Sequence, residues 1–105
     1  MRRPVALPAS DVDEWLGAHR AWRRDAEHLV REVTTTSYEV GARIVAAQVG
    51  VAEDLDHHPI LTLGYRELRV ELWTHDRRAI TRLDLDYAER FDAMLTREFS
   101  ADVVS

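Results

Sequence analysis

The spacing of apolar residues changes character sharply at Pro59. Ahead of it, Val40, Ile44, Ala47, Val51 and Leu55 recur every three or four residues, the period of one helix face. Behind it, Leu68, Val70 and Leu72 recur every second residue, the period of a strand with one buried side. Proline drives the residue before it, His58, toward extended backbone, so the helix must stop short of that point. Neither element can bury its apolar side alone, and the fold must lay the helix across the strand.

The rest of the chain completes that layer. Pro4 and Pro8 bracket an irregular start. Ser10 or Asp11 is placed to cap a short helix carrying Val12, Trp15, Leu16 and His19, with Trp15 in the core. Leu29 to Thr36 is rich in Val and Thr and reads as a strand, with a short partner from Trp22 to Asp25. Leu29, Arg31, Val33 and Thr35 share one of its faces, so neither face is cleanly apolar. Thr36-Ser37-Tyr38-Glu39 has the capping-box pattern and opens the long helix, which runs to about Leu55. Beside its first stripe lies a second, Tyr38, Ala42, Val45, Val49 and Ala52, which predicts another surface to bury, such as a second subunit. Gly41 and Gly50 allow close approach on this helix.

Ile60 to Tyr65 and Glu67 to His75 are predicted strands joined by a tight turn in which Gly64 supplies a positive φ. His75 then stands at a strand end, opposite the aliphatic row. Asp76 to Ile80 is a loop. Thr81 to Asp84 opens a last helix whose stripe is Tyr87, Ala88, Phe91, Met94, Leu95 and Phe99, and the tail from Ser100 to Ser105 frays. The expectation is one α+β domain over residues 1–105, with 1–8 and 100–105 irregular. It has a four-stranded antiparallel sheet with three helices packed on one face, in the order α-β-β-α-β-β-α. Four short strands leave two edges that a dimer would hide by continuing the sheet.

Composition narrows the chemistry. The chain has no cysteine, which removes disulfides, thiolate nucleophiles and Cys-based zinc sites. Its net charge of −5 disfavours direct binding to nucleic acid. No apolar run reaches the ~20 residues of a membrane span, and the N-terminus lacks the apolar core of a signal peptide, so a cytoplasmic protein is expected.

Three of the five histidines, His57, His58 and His75, lie near acids. One imidazole can deliver a proton while another removes one, and a carboxylate beside either fixes its tautomer. Such a pair suits expulsion of water, in which the leaving hydroxyl is protonated as another proton is taken. Glu53 and His57, four apart, would meet side by side if the helix persisted. The plainer roles are a turn residue for His58, a strand cap for His75 and a capping-box acid for Asp84. A metal site from three histidines and an acid is the other functional possibility, weakened because adjacent side chains diverge in extended backbone. No serine sits in a nucleophile-elbow context.

Glu53-x3-His57-His58-Pro59-x5-Tyr65-x9-His75-x8-Asp84 resembles the signature of the pterin-4a-carbinolamine dehydratases, also known as dimerisation cofactors of a homeodomain transcription factor. Ala21-Trp22, Leu29-x-Arg31, Thr36-Ser37-Tyr38 and Thr74-His75-Asp76 also look like the family, over about residues 7–95. The resemblance implies dehydration of 4a-hydroxytetrahydrobiopterin to the quinonoid dihydropterin in tetrahydropterin recycling, with no metal or other cofactor. It implies His57 and His75 as acid/base histidines and His58 as a substrate-binding, assisting one. Glu53 and Asp84 are implied as supporting acids, with Asp84 orienting a histidine. It also implies a homodimer or homotetramer and a functional link to an aromatic amino-acid hydroxylase. Many relatives have phenylalanines at Val33 and Thr35, some a tryptophan at Leu61, and commonly an asparagine at Arg66. Relatives usually carry one or two glycines where Arg78 and Ala79 stand, so the alternative is a weakly active or inactive member serving as a dimerisation or regulatory binding module.

Overall fold

The computed structural model describes residues 4–104. Helix α1 (Ala9–Ala18) leads into strands β1 (Trp22–Asp25) and β2 (His28–Thr34). Helices α2 (Tyr38–Ala47) and α3 (Val49–Leu55) follow, then strands β3 (Ile60–Leu63) and β4 (Glu67–Leu72), a 3-10 turn at His75–Arg77, and helix α4 (Arg82–Phe99). All four strands form one antiparallel sheet in the order β1-β2-β4-β3. This is the expected α+β arrangement of a four-stranded sheet and three helices, the middle helix being bent into α2 and α3. Gln48 marks the bend. It keeps helical torsions, and Ala52 N–H still donates to its carbonyl at 3.0 Å. Its buried side chain donates to the Val45 carbonyl at 3.2 Å and accepts from the Tyr87 hydroxyl at 2.7 Å, which ties the bend to α4. Burial pushes the Tyr87 phenol pKa upward, so it remains a donor.

The inner face of the sheet is Trp22, Leu29, Val33, Leu68, Val70 and Leu72, all buried against Val12, Ile44, Tyr87, Phe91 and Met94 of the helices. Each such side chain contributes roughly 1.5–3 kcal/mol by leaving water. Arg31 shares this face because α4 supplies its partner: the guanidinium pairs with Asp92, which also accepts from Trp22 Nε1 at 2.9 Å. That pairing explains why β2 has no cleanly apolar side. Gly41 lets α2 close on β3, since a Cβ there would lie 2.6 Å from a Leu63 methyl, whereas a Cβ on Gly50 would meet nothing within 4 Å.

Several local expectations are corrected. Pro8, not Ser10 or Asp11, precedes the first turn of α1, and no side chain caps that helix. Ser37 rather than Thr36 caps α2, accepting from Val40 N–H at 3.2 Å; the Thr36 N–H donates to Asp102. Strands β2 and β3 stop at Thr34 and Leu63, short of Thr36 and Tyr65. The turn after β3 closes through Gly64 N–H to the Glu67 carbonyl at 2.7 Å without a positive φ at Gly64; the left-handed residues are Ala26, Asp56 and Arg78. At the chain ends, residues 1–3 and 105 lie outside the described residues. Ala6 forms a bridge with Thr81, and the tail is docked rather than frayed: Val103 bridges Thr35 and Val104 N–H donates to Thr34 at 2.7 Å.

On the second stripe of the middle helix, Tyr38, Ala42 and Val49 are exposed, while Ala52 is buried. Among the described residues no helix is long and apolar enough to cross a membrane.

Candidate active site

The site starts from how α3 ends. Asp56 takes left-handed backbone, its N–H donates to Glu53, and His57 N–H donates to Ala52 at 3.0 Å. These two bonds form a Schellman motif, which satisfies the last carbonyls of the helix and turns the chain sharply. The turn removes His57 from the α3 surface, so Glu53 and His57 do not pair as their spacing predicts. Glu53 Oε2 instead lies 2.6 Å from His58 Nε2, in an exposed pair. His57 is turned inward, with only 8% of its surface exposed.

Asp84 waits for it in the first turn of α4. Its carboxylate is fully buried, and its Oδ1 is 2.6 Å from His57 Nε2. The other oxygen accepts from Thr81 N–H at 2.8 Å and from Thr74 Oγ at 3.0 Å. Thr81 closes the reciprocal half of the capping box, and its hydroxyl is 2.7 Å from that of Thr74. The capping contact and the contact with His57 therefore coexist on Asp84, one on each oxygen. A carboxylate facing Nε2 favours the tautomer with the proton there, which leaves the Nδ1 lone pair for other work.

His75 follows Thr74 directly. The chain does not continue as a strand to this point: β4 ends at Leu72, and Thr74 N–H donates to the Ala79 carbonyl at 2.9 Å, curling residues 75–77 into the 3-10 turn. His75 is exposed, and its ring meets the indole of Trp73 at a centroid distance of 4.5 Å. Thus His57 touches Asp84, His58 adjoins His57, and His75 leaves the chain one residue from Thr74. Four of the five sequence candidates are joined as two pairs, His57 with Asp84 and His58 with Glu53, and His75 stands next to Thr74, which touches Asp84. Among the described residues no three His, Cys, Asp or Glu side chains are grouped to hold a metal ion, so the three-histidine metal site has no geometry behind it.

Thr74 is the site residue that sequence reasoning left without a role. A threonine beside a candidate histidine gives no signal of its own, because its contact with Asp84 depends on how β4 and α4 pack. Arg78 closes the turn in left-handed backbone, φ 49° and ψ 43°. It stands where the resemblance expects glycine, which takes this conformation freely. Left-handed backbone costs an L-residue roughly 1–2 kcal/mol, offset in part by the larger entropy that glycine loses on folding. Arg78→Gly is therefore expected to raise stability by up to about 1 kcal/mol, measured by urea unfolding. A loss of stability would show that the arginine side chain contributes more than its backbone costs.

The model of the pterin 4 alpha carbinolamine dehydratase family matches residues 5–94. A protein of Natronomonas pharaonis, provisionally named a pterin-4-alpha-carbinolamine dehydratase, is 46% identical over 74 residues, covering 70% of this chain and 80% of its own. One of the same provisional name from Metallosphaera sedula is 34% identical over 88 residues, covering 84% and 92%. The crystal structure of a transcriptional coactivator/pterin dehydratase from Brucella melitensis is similar with a TM-score of 0.80 and 28% identity, over 85% of this chain and 97% of that one.

Proposed function

Because this chain belongs to the pterin 4 alpha carbinolamine dehydratase family, we propose that it removes water from a 4a-hydroxytetrahydropterin to give the quinonoid dihydropterin. The observation that carries this reading is the buried His57–Asp84 pair, 2.6 Å apart. In the reaction the bond from C4a to its hydroxyl breaks, the hydroxyl leaves as water with an added proton, and N5 gives up a proton as the C4a–N5 double bond forms. No net electrons move, so the step requires one acid and one base. His57, oriented by Asp84, and His75, at the turn beside Thr74, are assigned these two roles. His58, paired with Glu53 at the surface, is assigned to substrate binding.

A homodimer or homotetramer fits the exposed Tyr38, Ala42 and Val49 row, which one subunit leaves in water. Recycling of tetrahydropterin after an aromatic amino-acid hydroxylase is the place in metabolism this reading assigns.

The test is the rate of dehydration of freshly generated carbinolamine with purified protein. Acceleration well above buffer is expected, and no acceleration would sink the reading. The dimerisation or regulatory module would then be the surviving account of the fold.

A further inference from the structure

His57 and His58 each face a carboxylate, whereas the ring that His75 meets is the indole of Trp73. That indole is itself backed. Register pairs Leu29 of β2 with Leu72 of β4, so His28 and Trp73 are the next residues across the two strands. Their rings stack, with centroids 3.9 Å apart and planes within 9°. His28 Nδ1 in turn lies 2.5 Å from Glu71 Oε2, and both side chains are partly buried. A continuous row of side chains thus runs Glu71, His28, Trp73, His75 along the side of the sheet away from the helices. Each member limits the next: the carboxylate fixes the imidazole, the imidazole fixes the indole by parallel stacking, and the indole gives one wall to the His75 ring.

We propose that Trp73, buttressed by His28 and Glu71, is a positioning residue that fixes the orientation of the His75 ring. The consequence for catalysis rests on the dehydratase reading above; the orientation itself does not. An exposed imidazole on a short 3-10 turn has several staggered rotamers open to it. Contact, at an interplanar angle of 42°, with an indole held by its own stack on His28 removes some of them. Because proton transfer depends on placement to within an ångström, an unfixed ring would lose turnover more than affinity.

The experiment has two readouts. The first is the His75 Cε1–H resonance, assigned by its absence in His75→Gln. In wild type it is expected upfield of its free position because of the indole ring current, and in Trp73→Leu it should return to that position. The second is kinetics. Trp73→Leu should lower kcat by roughly 10-fold while leaving KM within about twofold, and Trp73→Phe should restore most of the loss. His28→Asn, which removes the stacking partner and leaves the indole in place, should give a smaller change of the same kind and covers the case in which Trp73→Leu does not fold. An unshifted His75 resonance in wild type overturns the proposal. So does an unchanged kcat in Trp73→Leu when His75→Ala is impaired. If the wild type shows the ring-current shift, loses it in Trp73→Leu and yet has no dehydratase activity, the reading of the reaction fails and the positioning of His75 stands.

Discussion

His57→Ala is expected to lower the rate of carbinolamine dehydration by ~10²-fold or more while leaving the fold intact. The size follows from what the residue is asked to do. A positioned general acid or base contributes on the order of 10²–10⁴-fold, and water in an emptied pocket is a poor replacement. His57 is buried and has one nitrogen held by Asp84 at 2.6 Å, and the proposed reaction assigns the other to substrate. The His58–Glu53 pair has the same length but stands in water, with more than half of each side chain exposed. An ion pair so exposed holds its members weakly, so His58→Ala should fall by a smaller factor, about 10-fold or less, appearing mainly in KM. Steady-state rates for both variants, with circular dichroism to show that each is folded, separate the two roles. If His57→Ala keeps its turnover within about threefold of wild type, general catalysis by His57 is excluded.

Much of this could be read from the residues, and what could not has a common cause. The helix and strand periods around Pro59, the apolar stripe of α4 and the Thr81–Asp84 capping box are local patterns, and local patterns survive in a sequence. The partners of His57 and Glu53 were not legible by spacing, because one left-handed residue, Asp56, turns the chain and exchanges them. Spacing of four residues means contact only while the helix lasts. The same applies to His75, where the Thr74–Ala79 bond replaces the last residues of a strand by a turn. Arg31 was an anomaly on a core face until Asp92 of α4 was brought to it. In each case the missing information was a contact between segments distant in sequence. Composition and periodicity do not encode the register that creates such contacts. The His28–Trp73 stack belongs to the same class, since it exists only because β2 and β4 pair as they do.

Asp84 joins stability to chemistry, so its variants should show the largest loss of fold. Asp84→Ala is expected to cost about 3–5 kcal/mol, because several buried donors lose their acceptor at roughly 1–3 kcal/mol each. Of this, ~1 kcal/mol belongs to the helix cap. The carboxylate serves three donors, Thr81 N–H, Thr74 Oγ and His57 Nε2, and deletion leaves all of them without it in a site closed to water. Asp84→Asn separates the functions. Its amide oxygen can still accept from Thr81 N–H, which preserves the cap. With that oxygen toward Thr81 and Thr74, its amide nitrogen faces His57, and a donor facing Nε2 favours the other imidazole tautomer, with the proton on Nδ1. The stability loss should therefore shrink to about 1–3 kcal/mol, while dehydration falls by ~10²-fold or more, as for His57→Ala. Urea unfolding and steady-state rates on the two variants give both numbers. If Asp84→Asn is as active as wild type, Asp84 is a cap whose contact with His57 does nothing for the reaction. If it loses activity and stability in the same proportion as Asp84→Ala, the two oxygens do not have separable roles.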